Sequence, residues 1–342
     1  MLLLKKKPEK QHGPDCLSTM KKTAPLIICF LLFISFRGFS QPAPAPDENI
    51  PFLVTFGPGA CPSWGDDDYS QTFFFMVPAS QTQPVYIRVF DPGVGGEHDE
   101  LNGFWNTKTN FSVYGGKGAH SDPDAREVDP AGNYRSGNLL ASRTFGNEPE
   151  WDNKWYTFGP FSPTEGELQE HLGGYVFKII AEGLEGNDGN LYKYFLSTDP
   201  EQNTPVEGAN AFSYEYTFRL WDDPKQVSSI YPYIDEHTVS VKIANFDWDD
   251  DGLIILRSVA RQGQLLGVSG DNEWKEDEFA ILPEEKNTSL HIEFRKQESP
   301  VIRNNNVVVN IRNQYDETMP FYVIPIGGVP QYNYSIGVRP RN

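Results

Sequence analysis

Phe212-Ser213-Tyr214-Glu215-Tyr216-Thr217-Phe218-Arg219-Leu220 alternates apolar and polar residues without a fault. A period of two over that length fits a strand with one buried and one wet face, and no helix can use it. Leu290–Arg295 repeats the pattern, as do Val85–Phe90, Tyr175–Ala181, Tyr192–Leu196, Thr238–Ile243 and Val307–Ile311. Clusters of Gly, Pro, Asn and Asp punctuate these runs, as the turns of an antiparallel sandwich require. One helix signal interrupts them. Ser162-Pro163-Thr164-Glu165 is a capping box with proline at the first helical position, Leu168 and Leu172 follow four apart, and Gly173-Gly174 ends the run. The spacing predicts a short helix over Pro163–Leu172, packed on a sandwich edge. The expected fold class is all-β, with two antiparallel β-sandwich domains of jelly-roll or Ig-like type. Helical bundles and Rossmann-type layers are excluded.

The front of the chain reads as an address. Met20-Lys21-Lys22 is basic, Ala24–Phe36 is apolar, and Gly38-Phe39-Ser40 precedes Gln41. That order is the signature of a cleaved signal peptide, with the first 19 residues as an upstream extension. The apolar run is shorter than the roughly 20 residues a membrane-spanning helix needs. Cys29 lacks the small residue before it and the polar sequence after it that lipidation requires. The reading is therefore residues 1–40 as extension and leader, and 41–50 as a Pro-rich extended spacer. A first sandwich over 51–222 and a second over 226–342 follow, joined near Trp221–Lys225. An exported location is expected: periplasm, cell surface or extracellular space.

The formal net charge is −18 for the whole chain, and about −23 for 41–342 once the seven basic and two acidic residues of 1–40 are set aside. Such a surface repels nucleic acid and anionic membrane, leaving cations, neutral sugars and proteins as partners. Of three cysteines only Cys61 lies beyond the leader, so no internal disulfide supports the exported domains. Cys61 itself reads as a buried structural thiol. The histidines 98, 120, 171, 237 and 291 show no zinc-ligand spacing, and His291 falls on the wet face of its strand.

Asp68–Pro78, Val85–Asp91, Leu139–Ser142, Gly174–Ile179 and Gly189–Tyr192 together resemble the strands of the pre-peptidase C-terminal type of β-sandwich, an accessory module of secreted bacterial proteins. The resemblance spans about 130 residues, and the long insert Asn102–Gly137 departs from it. It implies a non-catalytic module that binds calcium or a polymer.

Asp247-Trp248-Asp249-Asp250-Asp251-Gly252 has the D-x-D-x-D-G spacing in which alternate carboxylates face one hard cation and glycine allows a sharp turn. The twelfth position is Ser258 rather than glutamate and the flanks read as strands. The motif is thus either a calcium loop completed from elsewhere, through Asp247, Asp249 and Asp251, or an Asp-Asp-Gly hairpin turn. Asp66-Asp67-Asp68 and the loop Asp91–Glu100 pose the same choice, the glycines of the second letting Asp91 and Asp99 meet. Glu185–Asn190 reads as a plain turn. Trp105, Trp151 and Trp155 lie in loops or short segments, where flat rings stack on sugars, and Asp152 and Asn153 can bond hydroxyls. The alternative is that these rings plug the ends of a core.

No nucleophile–base pair stands out, so the leading reading is an exported, calcium-stabilised binding or adhesion protein for a polysaccharide or a cell-surface protein. A carbohydrate-active enzyme, glycosidase or lyase, on a jelly-roll scaffold is the alternative, and a structural spacer of the cell envelope is the third.

Overall fold

The computed structural model describes residues 41–128 and 135–333, so the expected leader lies outside the described residues. The elements are almost all strands. In the first half they are β1 (Leu53–Phe56), β2 (Ser70–Pro78), β3 (Val85–Phe90), β4 (Lys108–Gly115), β5 (Asn138–Phe145), β6 (Trp155–Phe161), β7 (Glu167–Gln169), β8 (Gly174–Glu185), β9 (Gly189–Ser197), β10 (Asn210–Ser213) and β11 (Glu215–Arg219). The second half adds β12 (Ser228–Ile234), β13 (Ser240–Phe246), β14 (Leu253–Arg257), β15 (Gln264–Leu266), β16 (Trp274–Ala280), β17 (Thr288–Ser289), β18 (His291–Arg295), β19 (Asn306–Asn313) and β20 (Phe321–Tyr322).

Two antiparallel sheets form an all-β sandwich architecture. One runs β16-β13-β19-β11-β1-β9-β3-β6, the other β15-β14-β18-β12-β20-β10-β2-β8-β4-β5. Each sheet draws on both halves of the chain. Glu215–Arg219 pairs with Asn306–Asn310 in the first, and Phe212–Ser213 pairs with Phe321–Tyr322 in the second. Two sandwiches thus stand side by side with fused sheets, and one hydrophobic core runs from Phe73 and Tyr192 to Val309 and Phe294. The described residues form one compact unit. Trp221–Lys225 is a crossing within it rather than a linker between separate cores.

The run that alternates most cleanly, Phe212–Leu220, is not one strand. It breaks at Tyr214, β10 lying in the second sheet and β11 in the first. Such corners turn a sandwich edge. Here Gln71 replaces the missing ladder: its Nε2 donates to Glu215 O at 3.0 Å and its Oε1 accepts from Thr217 N at 2.9 Å. Both faces of the run are mostly buried, so no wet face exists.

Two local expectations fail for identifiable reasons. Over Pro163–Leu172 the capping box closes, with Ser162 N donating to Glu165 Oε2 at 2.6 Å. The turn ends at extended Gly166, and Glu167–Gln169 becomes β7 on the edge of β8. Leu168 stays 52% exposed, so no apolar stripe exists to hold a helix. The stretch 41–50 is no free spacer either. Ala43 and Ala45 are buried, Ala43 O accepts from Leu196 N, Glu48 O accepts from Ser229 N, and Asn49 O accepts from Trp221 Nε1. It straps the first sandwich to the second.

Candidate functional site

The turns at one end of the sandwiches are built around buried carboxylates. Between β8 and β9, Asp188 is fully buried and accepts from Asn102 N (2.9 Å), Asn106 N (2.7 Å) and Thr107 N (3.1 Å). The segment read as a plain turn is therefore the anchor of the loop that carries Trp105. That tryptophan is half-buried, while its neighbour Phe104 stands 71% exposed.

Asp99 plays the same part in the loop after β3. Its Oδ2 accepts from Gly95 N and its Oδ1 from Leu191 N, both at 2.6 Å. With a backbone donor on each oxygen, Asp99 organises the loop. Burial pushes its carboxyl well above the usual range. Asp91 differs. It is buried at φ +56°, its Oδ1 accepts from Asn153 N at 3.2 Å, and its Oδ2 has no hydrogen-bond partner among the described residues. Burial raises its pKa to about 6, with the neighbouring Asp152 and Glu97 charges adding to the rise.

Two more oxygens share this condition. Asp152 Oδ1 is buried without a partner, and so is Asn190 Oδ1, on a side chain with no exposed surface. Asn190 Nδ2 donates to Pro92 O at 2.9 Å, which holds its amide beside Asp91. A Cβ on Gly96 would come within 3.2 Å of Asp152 Cγ, so only glycine lets the loop close over that carboxylate. Residues proposed from sequence as metal ligands and as sugar-binding groups thus lie close together, Asp91 and Asp99 beside Asp152 and Asn153, with Trp151 and Trp155 flanking the last two in the chain. Asn190, read from sequence as the end of a plain turn, lies on β9 and is the member that sequence analysis missed.

The tryptophans here are partly committed to packing. Trp151 lies edge-on to Tyr156 (5.2 Å) and Phe145 (6.2 Å), with Arg143 5.1 Å from its ring centre. Trp155 packs on Phe90 at 5.4 Å, under the guanidinium of Arg88 at 5.2 Å. Both remain half-buried.

A second acidic group lies on the neighbouring sandwich. Asp247–Gly252 connects β13 in one sheet to β14 in the other, so it is a corner and not a hairpin. Trp248, fully buried, anchors it through Nε1 to Asp251 O at 2.9 Å and by stacking on Phe294. Carboxylate oxygens of Asp247, Asp249 and Asp271 all lie within 4.8 Å of one another. Asp251 is not among them: its Oδ2 pairs with buried Lys296 at 3.1 Å and accepts from Ile302 N at 2.6 Å. Asp271, outside the D-x-D-x-D-G spacing, takes its place. Burial lifts Asp247 to about 7, and burial with the charge of Asp271 raises Asp249. Asn305 Nδ2 donates to Asp249 Oδ2 at 2.9 Å, and the buried Asn305 Oδ1 has no partner among the described residues.

Asp66 caps its own turn, accepting from Phe56 N (2.7 Å) and Tyr69 N (2.8 Å), although oxygens of Asp66, Asp67 and Asp68 also cluster within 4.8 Å. The two acidic regions are tied together by Glu100, which pairs with Arg219 at 2.6 Å and accepts from Asn306 Nδ2 at 3.0 Å. Two further sequence readings are corrected. Cys61 is exposed rather than buried, because its loop turns outward at Pro62–Trp64. His291 is half-buried, stacked on Tyr231 and bonded to Ser229 Oγ at 2.9 Å.

No protein-family model and no curated protein matches this chain. Among solved structures, a similar one is Broad Bean Stain Virus, at 9% identity and TM-score 0.23, covering 90% of this chain and 98% of that one. A presumed secreted protein of Parabacteroides distasonis gives 9% identity and TM-score 0.20, covering 83% and 96%. The CBM22 tandem of Paenibacillus barcinonensis Xyn10C gives 10% identity and TM-score 0.17, covering 79% and 93%. At these TM-scores the likenesses carry no argument about function. Among the described residues no helix is long and apolar enough to cross a membrane.

Proposed function

We propose that this chain is an exported binding protein that engages a polysaccharide or a surface protein through the acidic loop end of its fused sandwiches, with calcium ordering those loops. The observation that carries the reading is the set of orphaned buried oxygens, Asp91 Oδ2, Asp152 Oδ1 and Asn190 Oδ1, from the end of β3, the turn before β6 and the start of β9. A buried acceptor without a donor is costly, and a hard cation with oxygen ligands relieves several at once. Asp247, Asp249 and Asp271, with Asn305 beside them, offer a second place of the same chemistry. Calcium at the first place would fix Asp152 and Asn153 and the stretch from Trp151 to Trp155. The half-buried rings and exposed Phe104 then supply apolar contact, and the amide and carboxylate edges supply hydrogen bonds.

A glycan array and a pull-down from cell-surface fractions, each with calcium and with chelator, test this reading. Calcium-dependent retention that weakens at least tenfold in Asp91→Asn supports it. Asparagine is chosen because it tolerates the positive φ at that position. Retention of nothing in either condition rejects it.

A further inference from the structure

The opposite end of the molecule carries a different feature. Along β4, eight residues or about 26 Å of strand, the acidic loops lie beyond Lys108 and a cleft lies beyond Gly115. The cleft opens on the outer face of the second sheet, where β10 of the first sandwich meets β20 of the second. Its volume is about 480 Å³, within the range of roughly 300–1,000 Å³ that small-molecule sites occupy. At about 30 Å³ per water that is space for about 16 waters, enough for one or two sugar rings.

The cleft has a rigid floor. β2 carries three consecutive phenylalanines, so Phe73 and Phe75 face the core while Phe74 faces outward. Phe74 stacks on Phe212 at 5.1 Å, Phe212 meets Tyr322 at 5.4 Å, and His120 lies edge-on to both Phe74 and Phe212. The loop bearing His120 is fixed by Glu167, whose carboxylate accepts from Gly118 N, His120 N, Ser121 N and Ser121 Oγ.

The polar lining is unbalanced. Among the described residues that line it, Arg126 is the one arginine or lysine and Asp235 the one carboxylate. Asp235 is already engaged, accepting through Oδ1 from His237 N, Thr238 N and Thr238 Oγ1. Arg126 Nε is buried and has no acceptor among the described residues. His120 is 6% exposed, and its Nε2 bonds Tyr214 Oη at 2.9 Å. Its Nδ1 meets no partner at strict hydrogen-bond geometry among the described residues, although the Gln169 side chain lies close enough to bond the ring. Burial and the nearby Arg126 hold His120 near 4, so at neutral pH it is an uncharged imidazole. In the tautomer where Tyr214 donates to Nε2, Nδ1 carries the proton. Arg126 Nε thus lacks an acceptor among the described residues, and the His120 ring stands beside it in a cleft whose walls also present Tyr233, Tyr322 and Asn313.

We propose that this cleft binds an acidic sugar: a uronic-acid residue whose carboxylate pairs with Arg126 and accepts from His120, and whose ring lies against Tyr233 and Tyr322. A guanidinium fork matches a carboxylate in shape and charge. The hydroxyl and amide groups around it match a polyhydroxylated ring better than a bare anion. The site is separate from the calcium loops and does not rest on them.

Calorimetric titration of the purified protein with glucuronate and galacturonate tests it, with glucose, glucuronamide and inorganic phosphate as comparisons. The expected result is uronate binding at least tenfold tighter than the amide or the neutral sugar, unchanged by chelator. Arg126→Gln should weaken it at least tenfold with an unaltered melting temperature. Should that variant melt early, the glucuronate-to-glucuronamide ratio of the native protein decides. Equal affinity for acid and amide, binding of phosphate alone, or uronate binding that disappears in chelator would each overturn the assignment.

Discussion

Asp188 and Asp91 show two uses of a buried carboxylate. Asp188 spends both oxygens on three backbone donors, so its place is structural. Asp188→Ala would orphan those donors, at about 1–3 kcal/mol for each unsatisfied group. The expected outcome is a loss of a few kcal/mol in urea unfolding, regardless of calcium. Glu48 is a third case. It is buried in the 41–50 strap beside the Tyr216 hydroxyl, and burial raises its pKa to about 8. The folded state therefore holds a proton that the unfolded chain, near 4.5, releases. The stability this proton contributes is fully present below about pH 4.5 and is lost as pH rises through 8. Glu48→Gln keeps the neutral shape, so unfolding curves between pH 5 and 9 should lose part of their decline with pH, the buried Asp91, Asp99 and Asp247 supplying the rest. A variant as pH-sensitive as the parent would place the titration elsewhere.

At the scale of elements, most strands are legible as alternation, and Val85–Phe90 matches β3 residue for residue. The period cannot show where a chain leaves one sheet for the other. Phe212–Leu220 keeps a perfect alternation through such a corner because both faces are covered on each side of it. What marks the corner is Gln71, far away in sequence. Gln71→Leu would strip Glu215 O and Thr217 N of their partners and should cost about 1–3 kcal/mol per group, read as a lower denaturation midpoint at unchanged m-value. The site is legible to the same degree. Asp91, at the head of a Gly-rich loop, and Asp152 and Asn153, between two tryptophans, carry a visible signal. Asn190 and Asp271 carry none, because their roles arise from sheet register and from a corner that brings 247–252 against 269–272. Asp99 and Asp251 share the pattern of ligands, but backbone N–H groups take both oxygens of Asp99, and Lys296 with Ile302 N takes Oδ2 of Asp251.

For the whole molecule, fused sheets and one continuous core predict one cooperative transition. Differential scanning calorimetry should give a single peak whose calorimetric and van't Hoff enthalpies agree. Two resolved peaks would mean that the halves melt as independent sandwiches. The acidic end and the cleft then belong to one rigid frame, with Glu100, Arg219 and Asn306 joining the two sandwiches at the acidic end. The claim on which the proposed function depends is that the acidic loops hold calcium, and melting with calcium against chelator addresses it directly. Selective binding to the native state raises the melting temperature with ligand concentration. The melting temperature should rise by several degrees in calcium, by less in Asp91→Asn and in Asp249→Asn, and not at all when the two are combined. An identical melting temperature in calcium and in chelator would contradict this and leave the orphaned oxygens without a cation.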